Sequence, residues 1–175
     1  MIDTLIEGLR ANACTVVGPV PAGEACAVVV ERVPEGALVA CNDDVGLPGL
    51  ADSLRARGCD VLLPGAPVWS SRLADAAAGI TGAALAVAAP ATLALVAAPG
   101  SPRATSLVPP AHVCVVRTAD VVDTLADALA RLAATASDLP SALTFVGGPS
   151  RTGDLEMILT LGVHGPRTVD VVLVD

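Results

Sequence analysis

A chain of 175 residues and 17.3 kDa makes one domain of ordinary size, long enough to bury about two-thirds of its unfolded surface. Hydrophobic residues are 53% of it and charged residues 16%, the reverse of a disordered chain. The net charge is −8 and all ten basic residues are Arg, so a cationic stripe for nucleic acid, a phosphate-gripping lysine and a lysine Schiff base are all excluded. Trp69 and Phe145 are the only aromatic residues, which removes base stacking and leaves a core of Ala, Val and Leu.

Asp3–Asn12 reads as a helix, with Leu5, Ile6 and Leu9 at helical spacing. Cys14–Val17 reads as a short strand ended by Gly18-Pro19, and Gly23–Val33 as a helix or a strand. Ala37–Cys41 is a buried strand running into Asn42-Asp43-Asp44. Pro48–Arg57 is a helix, with Pro48 near its start and Gly58 at its end. Asp60–Leu63 is the next strand. Between Asp75 and Arg103 lies a charge-free run of 27 residues. Pro90 falls in its most apolar part, so two buried strands, Ala83–Ala88 and Thr92–Ala97, fit better than a membrane span. They are too close for a helical crossover and are expected to pair as an antiparallel hairpin within or beside the main sheet.

His112–Arg117 is a continuous apolar strand. Asp120–Ala134 is the clearest helix, with Val122, Leu125, Leu129 and Leu132 on one face, Thr118 as N-cap and an Asp127–Arg131 pair. Ala142–Val146 is a strand, Asp154–Leu161 a helix and Val169–Val174 a last strand. Apolar strands alternating with helices give the fold class: a single α/β domain of three layers around a mostly parallel sheet.

Cysteines occur at 14, 26, 41, 59 and 114, without any CxxC. They read as small apolar filler in a reduced, cytoplasmic protein, and no metal site is expected. The N-terminus lacks the basic start and apolar stretch of a signal peptide.

Ligands collect at loops leaving the carboxyl ends of parallel strands. Three loops carry polar residues. The first is Gly147-Gly148-Pro149-Ser150-Arg151-Thr152-Gly153-Asp154, between an expected strand and an expected helix. Its glycines, a helix N-terminus, the hydroxyls of Ser150 and Thr152 and the guanidinium of Arg151 together suit a phosphate or carboxylate. In the competing reading Ser150 or Thr152 caps the helix while Arg151 pairs with Asp154 or Glu156. The second loop carries His164, either a general base or a loop imidazole bonded to backbone. The third is Asn42-Asp43-Asp44, either a turn with a helix cap or a holder of a metal or a hydroxylated ligand. His112 reads as structural and Trp69 as packing or pocket wall.

The string Gly148-Pro149-Ser150-Arg151-Thr152-Gly153-Asp154-Leu155-Glu156, followed by Leu161-Gly162-Val163-His164-Gly165-Pro166, resembles the signature of the LUD domain family, in its lactate utilisation protein C branch. Gly79-Ile80-Thr81-Gly82-Ala83, Thr92-Leu93 and Ser106–His112 are similar to it as well. The likeness is ordered over 75–175, whereas 1–74 matches only in its pattern of elements. It implies a fold like that of glucosamine-6-phosphate deaminase, ribose-5-phosphate isomerase and the coenzyme A transferases (the NagB/RpiA/CoA transferase-like group). It also implies an accessory role in oxidising L-lactate to pyruvate, with the iron–sulfur clusters in partner proteins and no cofactor in this chain. The implied anion-binding residues are Gly148, Ser150, Arg151, Thr152 and Asp154, with His164, Glu156 and Asp154 as catalytic candidates. One departure is the apolar stretch Ala84–Ala91, where family members carry polar residues, an acidic one among them. Two alternatives follow. One is a stand-alone enzyme for a nucleotide, coenzyme A or folate-like ligand. The other is a non-catalytic interaction module using the apolar stretch.

Overall fold

Two main sheets, rather than one, take up the apolar strands. The computed structural model describes residues 1–135, 140–153, 159–161 and 164–175. The chain opens with α1 (Ile2–Ala11), β1 (Thr15–Val20), α2 (Ala22–Val30) and β2 (Leu38–Cys41). It continues with α3 (Leu50–Ala56), β3 (Asp60–Leu62), α4 (Trp69–Arg72) and β4 (Ala78–Gly82). β5 (Leu85–Ala89), β6 (Thr92–Val96), β7 (Ala111–Arg117), β8 (Val121–Thr124) and α5 (Leu125–Thr135) follow. The last elements are β9 (Leu143–Val146), β10 (Arg151–Gly153), β11 (Leu159–Leu161) and β12 (Thr168–Val174).

Six strands form a wholly parallel sheet in the order β1-β12-β7-β4-β2-β3. Such a sheet needs cover on both faces. On one face Val29, Leu50 and Leu54 of α2 and α3 pack against Val39, Ile80, Val113 and Val172. On the other, Leu5 and Leu9 of α1 meet Cys114, Val116, Val171 and Leu173.

The expected hairpin is present, since β5 and β6 pair antiparallel. It belongs to a second sheet, ordered β8-β5-β6-β9. Alternation explains why the charge-free run is so apolar. Ala86, Ala88, Leu93 and Leu95 join the α1 core, while Leu85, Val87 and Ala94 turn the other way, onto Ala128 of α5. Residues 85–88 and Ala91 are therefore interior, so most of the stretch invoked for an interaction module is a core layer, with Ala84, Ala89 and Pro90 left exposed. Among the described residues no helix is long and apolar enough to cross a membrane.

Four boundaries differ from expectation. β1 does not stop at Gly18-Pro19 but runs on to Val20, with a shift in pairing between Val17 and Val20. β4, with two glycines in five residues, was not expected as a strand. The helix expected over 120–134 starts at Leu125, because Val121–Thr124 pairs with β5 instead. Thr124 is its cap: the Asp127 N–H donates to the Thr124 hydroxyl (3.2 Å) and the Thr124 N–H to the Asp127 carboxylate (3.1 Å), a reciprocal capping box. Thr118, the expected cap, donates its hydroxyl to Asp175, and Arg131 pairs with Asp120. Finally, of the helix expected over 154–161, residues 159–161 are strand β11, antiparallel to β10, and 154–158 lie outside the described residues.

Candidate functional site

Polar residues gather at both ends of the parallel sheet. At the carboxyl end, the connection leaving β2 runs outward to β3, and the one leaving β4 runs the opposite way to β7. The crevice between β2 and β4 is the topological switch point, where open parallel sheets bind ligands.

There β2 runs into Asn42-Asp43-Asp44, held down by the segment after β6. The Asn42 side chain accepts the Thr105 hydroxyl at 2.7 Å and donates to the Pro102 carbonyl at 3.4 Å. The Asp43 N–H donates to the Gly100 carbonyl at 2.9 Å. Asp44 shows part of its surface to solvent, yet its carboxylate accepts the Gly82 N–H at 2.9 Å and the Ser101 hydroxyl. Desolvation pushes its pKa above the usual carboxylate range, and those two bonds oppose the rise. A Cβ on Gly82 would sit 2.1 Å from the Asp44 carbonyl oxygen, so only glycine lets this loop lie on the strand end.

Under the loop a cavity of about 10 Å³, the room of a single water, is lined by Asn42, Asp44, Thr81, Ser101, Arg103 and Ser106. A separate open groove of about 400 Å³ is lined by residues 41–43 and 45–52 and by Leu63, and not by Asp44. Arg117, the last residue of β7, reaches over the same loop. A Cβ on Gly46 would lie 3.6 Å from Arg117 Nη2 and 3.9 Å from the Asp44 carbonyl oxygen. Among the described residues the Arg117 guanidinium has no hydrogen-bond or ion-pair partner.

Deeper in the sheet, Thr81 Oγ1 lies 2.8 Å from His112 Nε2 and 3.8 Å from Cys114 Sγ. Full burial lowers the His112 pKa to about 4 and raises the Cys114 thiol to about 12. His112 is thus a neutral core residue at pH 7. Its Nδ1 has no partner among the described residues.

The loop expected to bind an anion lies at the opposite end. It does leave a strand, but that strand is β9 of the second sheet, so the turn emerges beside the starts of β1, β12 and β7. Gly148 rests against Asn12, just before β1. The Ser150 N–H donates to the Pro166 carbonyl at 3.0 Å, and the Arg167 N–H to the Pro110 carbonyl at 2.7 Å. Asn12, Gly147, Gly148, Pro149 and Arg151 line an open groove of about 300 Å³. Cys14 lies near it, donating to the Gly147 carbonyl at 3.9 Å; burial raises this thiol to about 11 although the Arg151 charge pulls the other way.

The two turns named from sequence do meet, since a Cβ on Gly165 would fall 3.1 Å from Ser150 Cβ. His164, beside it, is exposed, as is Arg151. Thr152 is placed by its backbone in β10, opposite Thr160. Asp154 and Glu156 lie outside the described residues. Among the described residues the turn runs into strand β10, and the segment expected to open a helix, 154–158, lies outside them. Arg117 and Ser101 were not singled out from sequence, and Thr81 was named only within the family-like string Gly79–Ala83. The one signal for Arg117 was its position at the end of an apolar strand.

Comparison with known proteins adds kinship to this geometry. The sequence model of the LUD domain matches residues 2–174. A relative from Deinococcus radiodurans, "Lactate utilization protein C", is 37% identical over 118 residues, covering 67% of this chain and 55% of the relative. A protein of the same name from an Exiguobacterium species is 38% identical over 99 residues, 55% of this chain and 43% of its own. The chain spans about half the length of the curated relatives it matches. A crystal structure of a DUF162 family protein from Deinococcus radiodurans superposes with a TM-score of 0.75 at 22% identity, over 99% of this chain and 96% of the other. That likeness fixes the fold: an α/β domain around a mostly parallel sheet flanked by helices.

Proposed function

The chain belongs to the LUD domain family, and from that premise we propose that it serves lactate utilisation, as a cytoplasmic accessory subunit in the oxidation of L-lactate to pyruvate. Kinship with relatives named lactate utilization protein C carries the reading. Removing two electrons from lactate requires an acceptor. Iron–sulfur partner proteins would take that part, since this sequence has no CxxC pair. Disrupting the gene is expected to abolish growth on L-lactate as sole carbon source and to spare growth on pyruvate. Normal growth on lactate, with no second copy of the gene, would overturn the assignment.

This chain's own part is to bind a small anion at the 148–151 turn. The supporting observation is Arg151 on an open groove beside the backbone of Gly147 and Gly148. Inorganic phosphate at ten times its Kd would stabilise the native state by about 1.4 kcal/mol. For a domain of this size that raises Tm by roughly 3–5 °C. Arg151→Ala is expected to remove the phosphate-induced rise, read by thermal denaturation with and without phosphate. A rise that survives the substitution would place the phosphate elsewhere.

A further inference from the structure

We propose that the groove between α4 and the segment that follows β6 is a ligand site for a planar aromatic carboxylate, whose ring lies along Trp69 and whose carboxylate meets Arg103. It shares no lining residue with the groove at the 148–151 turn. The proposal goes beyond the lactate reading and does not rest on it.

Space, apolar surface and charge coincide there. An open groove of about 1150 Å³ is lined by Trp69 of α4, Val96 at the end of β6, Pro99, Pro102 and Arg103 of the following segment, and Ser141 just before β9. That is ample room for a fused ring system. Trp69 and Ala104 pack on the same buried cluster around Leu62 and Leu73, which ties the indole to the turn that carries Arg103. Trp69 Nε1 is buried, so the ring surface offered to the groove is carbon. Arg103 is exposed, and among the described residues its guanidinium has no hydrogen-bond or ion-pair partner.

The lining selects the ligand. The chain carries a net charge of −8, yet no carboxylate is among the residues that line this groove, so an anion is admitted here. One cation matches a monoanion, and a guanidinium fork takes a carboxylate through two parallel bonds. The body of the ligand must be apolar, because Trp69, Val96, Pro99 and Pro102 offer it carbon and Ser141 supplies the one side-chain hydroxyl among the lining residues. A planar ring stacks on an indole and loses no rotamer freedom on binding, whereas a flexible chain does. A nucleotide fits less well. Its ribose hydroxyls and base amines would lie unpaired on this carbon surface, and its phosphate dianion would meet a single cation.

The test is a titration of the ¹⁵N-labelled chain with 2-naphthoate, followed at the indole Nε1–H of Trp69. The chain holds one Trp, so that group gives a single cross-peak. 2-Naphthoate is expected to shift it saturably. Decalin-2-carboxylate has the same charge and similar bulk but no aromatic ring, and is expected to bind about threefold more weakly or worse. 2-Naphthamide, which keeps the ring and loses the charge, is expected to bind about fivefold more weakly or worse. AMP is expected to bind more weakly than 2-naphthoate. Arg103→Gln is expected to raise the 2-naphthoate Kd about fivefold or more, with Arg151→Ala leaving it unchanged. The proposal is overturned if 2-naphthoate leaves the indole unmoved, if the amide or the saturated acid binds as tightly, or if Arg103→Gln binds as the parent does. Tighter binding of AMP than of 2-naphthoate overturns it in favour of a nucleotide. The series of ligands on the parent chain decides the matter even if the variant fails to fold.

Discussion

Gly79→Ala is expected to destabilise the domain by about 3 kcal/mol or more. A Cβ at Gly79 would stand 1.8 Å from the Thr105 carbonyl oxygen and 2.9 Å from its carbon. These are backbone atoms, so no side chain can swing aside. Neither partner is free to retreat. Gly79 lies in β4, hydrogen-bonded between β2 and β7, and Thr105 is fully buried with its hydroxyl donated to Asn42. Pushing the 103–106 turn outward would break that bond and loosen the loop that carries Asp44. Gly23→Ala in α2 is the control, because a Cβ there meets nothing within 4 Å. It should be neutral or stabilising by about 0.5–1 kcal/mol. Urea midpoints of the two variants and the parent measure both effects. Equal midpoints would mean that the close approach at Gly79 is relieved at no cost.

Acid should weaken the fold through His112. Its pKa falls from an ordinary value of 6.5 to about 4, because the buried ring resists charge. Between those two values the unfolded chain binds a proton that the native chain does not, so stability rises with pH. The contribution is complete above pH 6.5 and is lost as pH falls toward 4. A shift of this size corresponds to about 3 kcal/mol. Asp44 has the opposite sign: its raised pKa makes the native state bind the proton more tightly, which favours folding as pH falls through that raised pKa to its ordinary value of 3.8, where the gain is complete. Water at its exposed side screens that effect, so His112 sets the net slope. His112→Asn should flatten the stability profile between pH 6.5 and 4, measured by urea unfolding at half-unit steps. Parallel profiles for parent and variant would remove His112 as the source.

Local pattern revealed five of the six parallel strands and most helices, because an apolar run or a 3.6-residue stripe is written in neighbouring residues. Leu5 and Leu9, Leu50 and Leu54, and the His112–Arg117 run all read correctly. Sheet membership is not local. Nothing within Leu85–Val96 says which strands it will join, so the hairpin was legible and its sheet was not. Val121–Thr124 continues a helical stripe on paper and is claimed instead by the edge of β5. β4 was hidden by Gly79 and Gly82, whose lack of side chains weakens a strand signal. The structure needs them bare because Thr105 and Asp44 press against them. The same blindness affected the sites. A strand followed by glycines at 147–148 suggested a carboxyl-end loop, but the strand belongs to the other sheet, and its turn opens at the amino end. The carboxyl-end cluster draws on Arg117, Gly82 and Asp44, far apart in sequence and joined only by the order of strands.

Pairing of β1 with β12 sets Thr15 beside Asp170 and leaves β1 with no other neighbour in its sheet. During synthesis the ribosome therefore releases a valine-rich ribbon long before its only lateral partner exists. Until residues near 170 emerge, nascent Thr15–Val20 can shelter only against its own flanking helices, and its backbone donors and acceptors stay open to other chains. Closing this seam is a late act of biogenesis, and any shortfall of chain beyond residue 167 would leave the edge exposed to self-association.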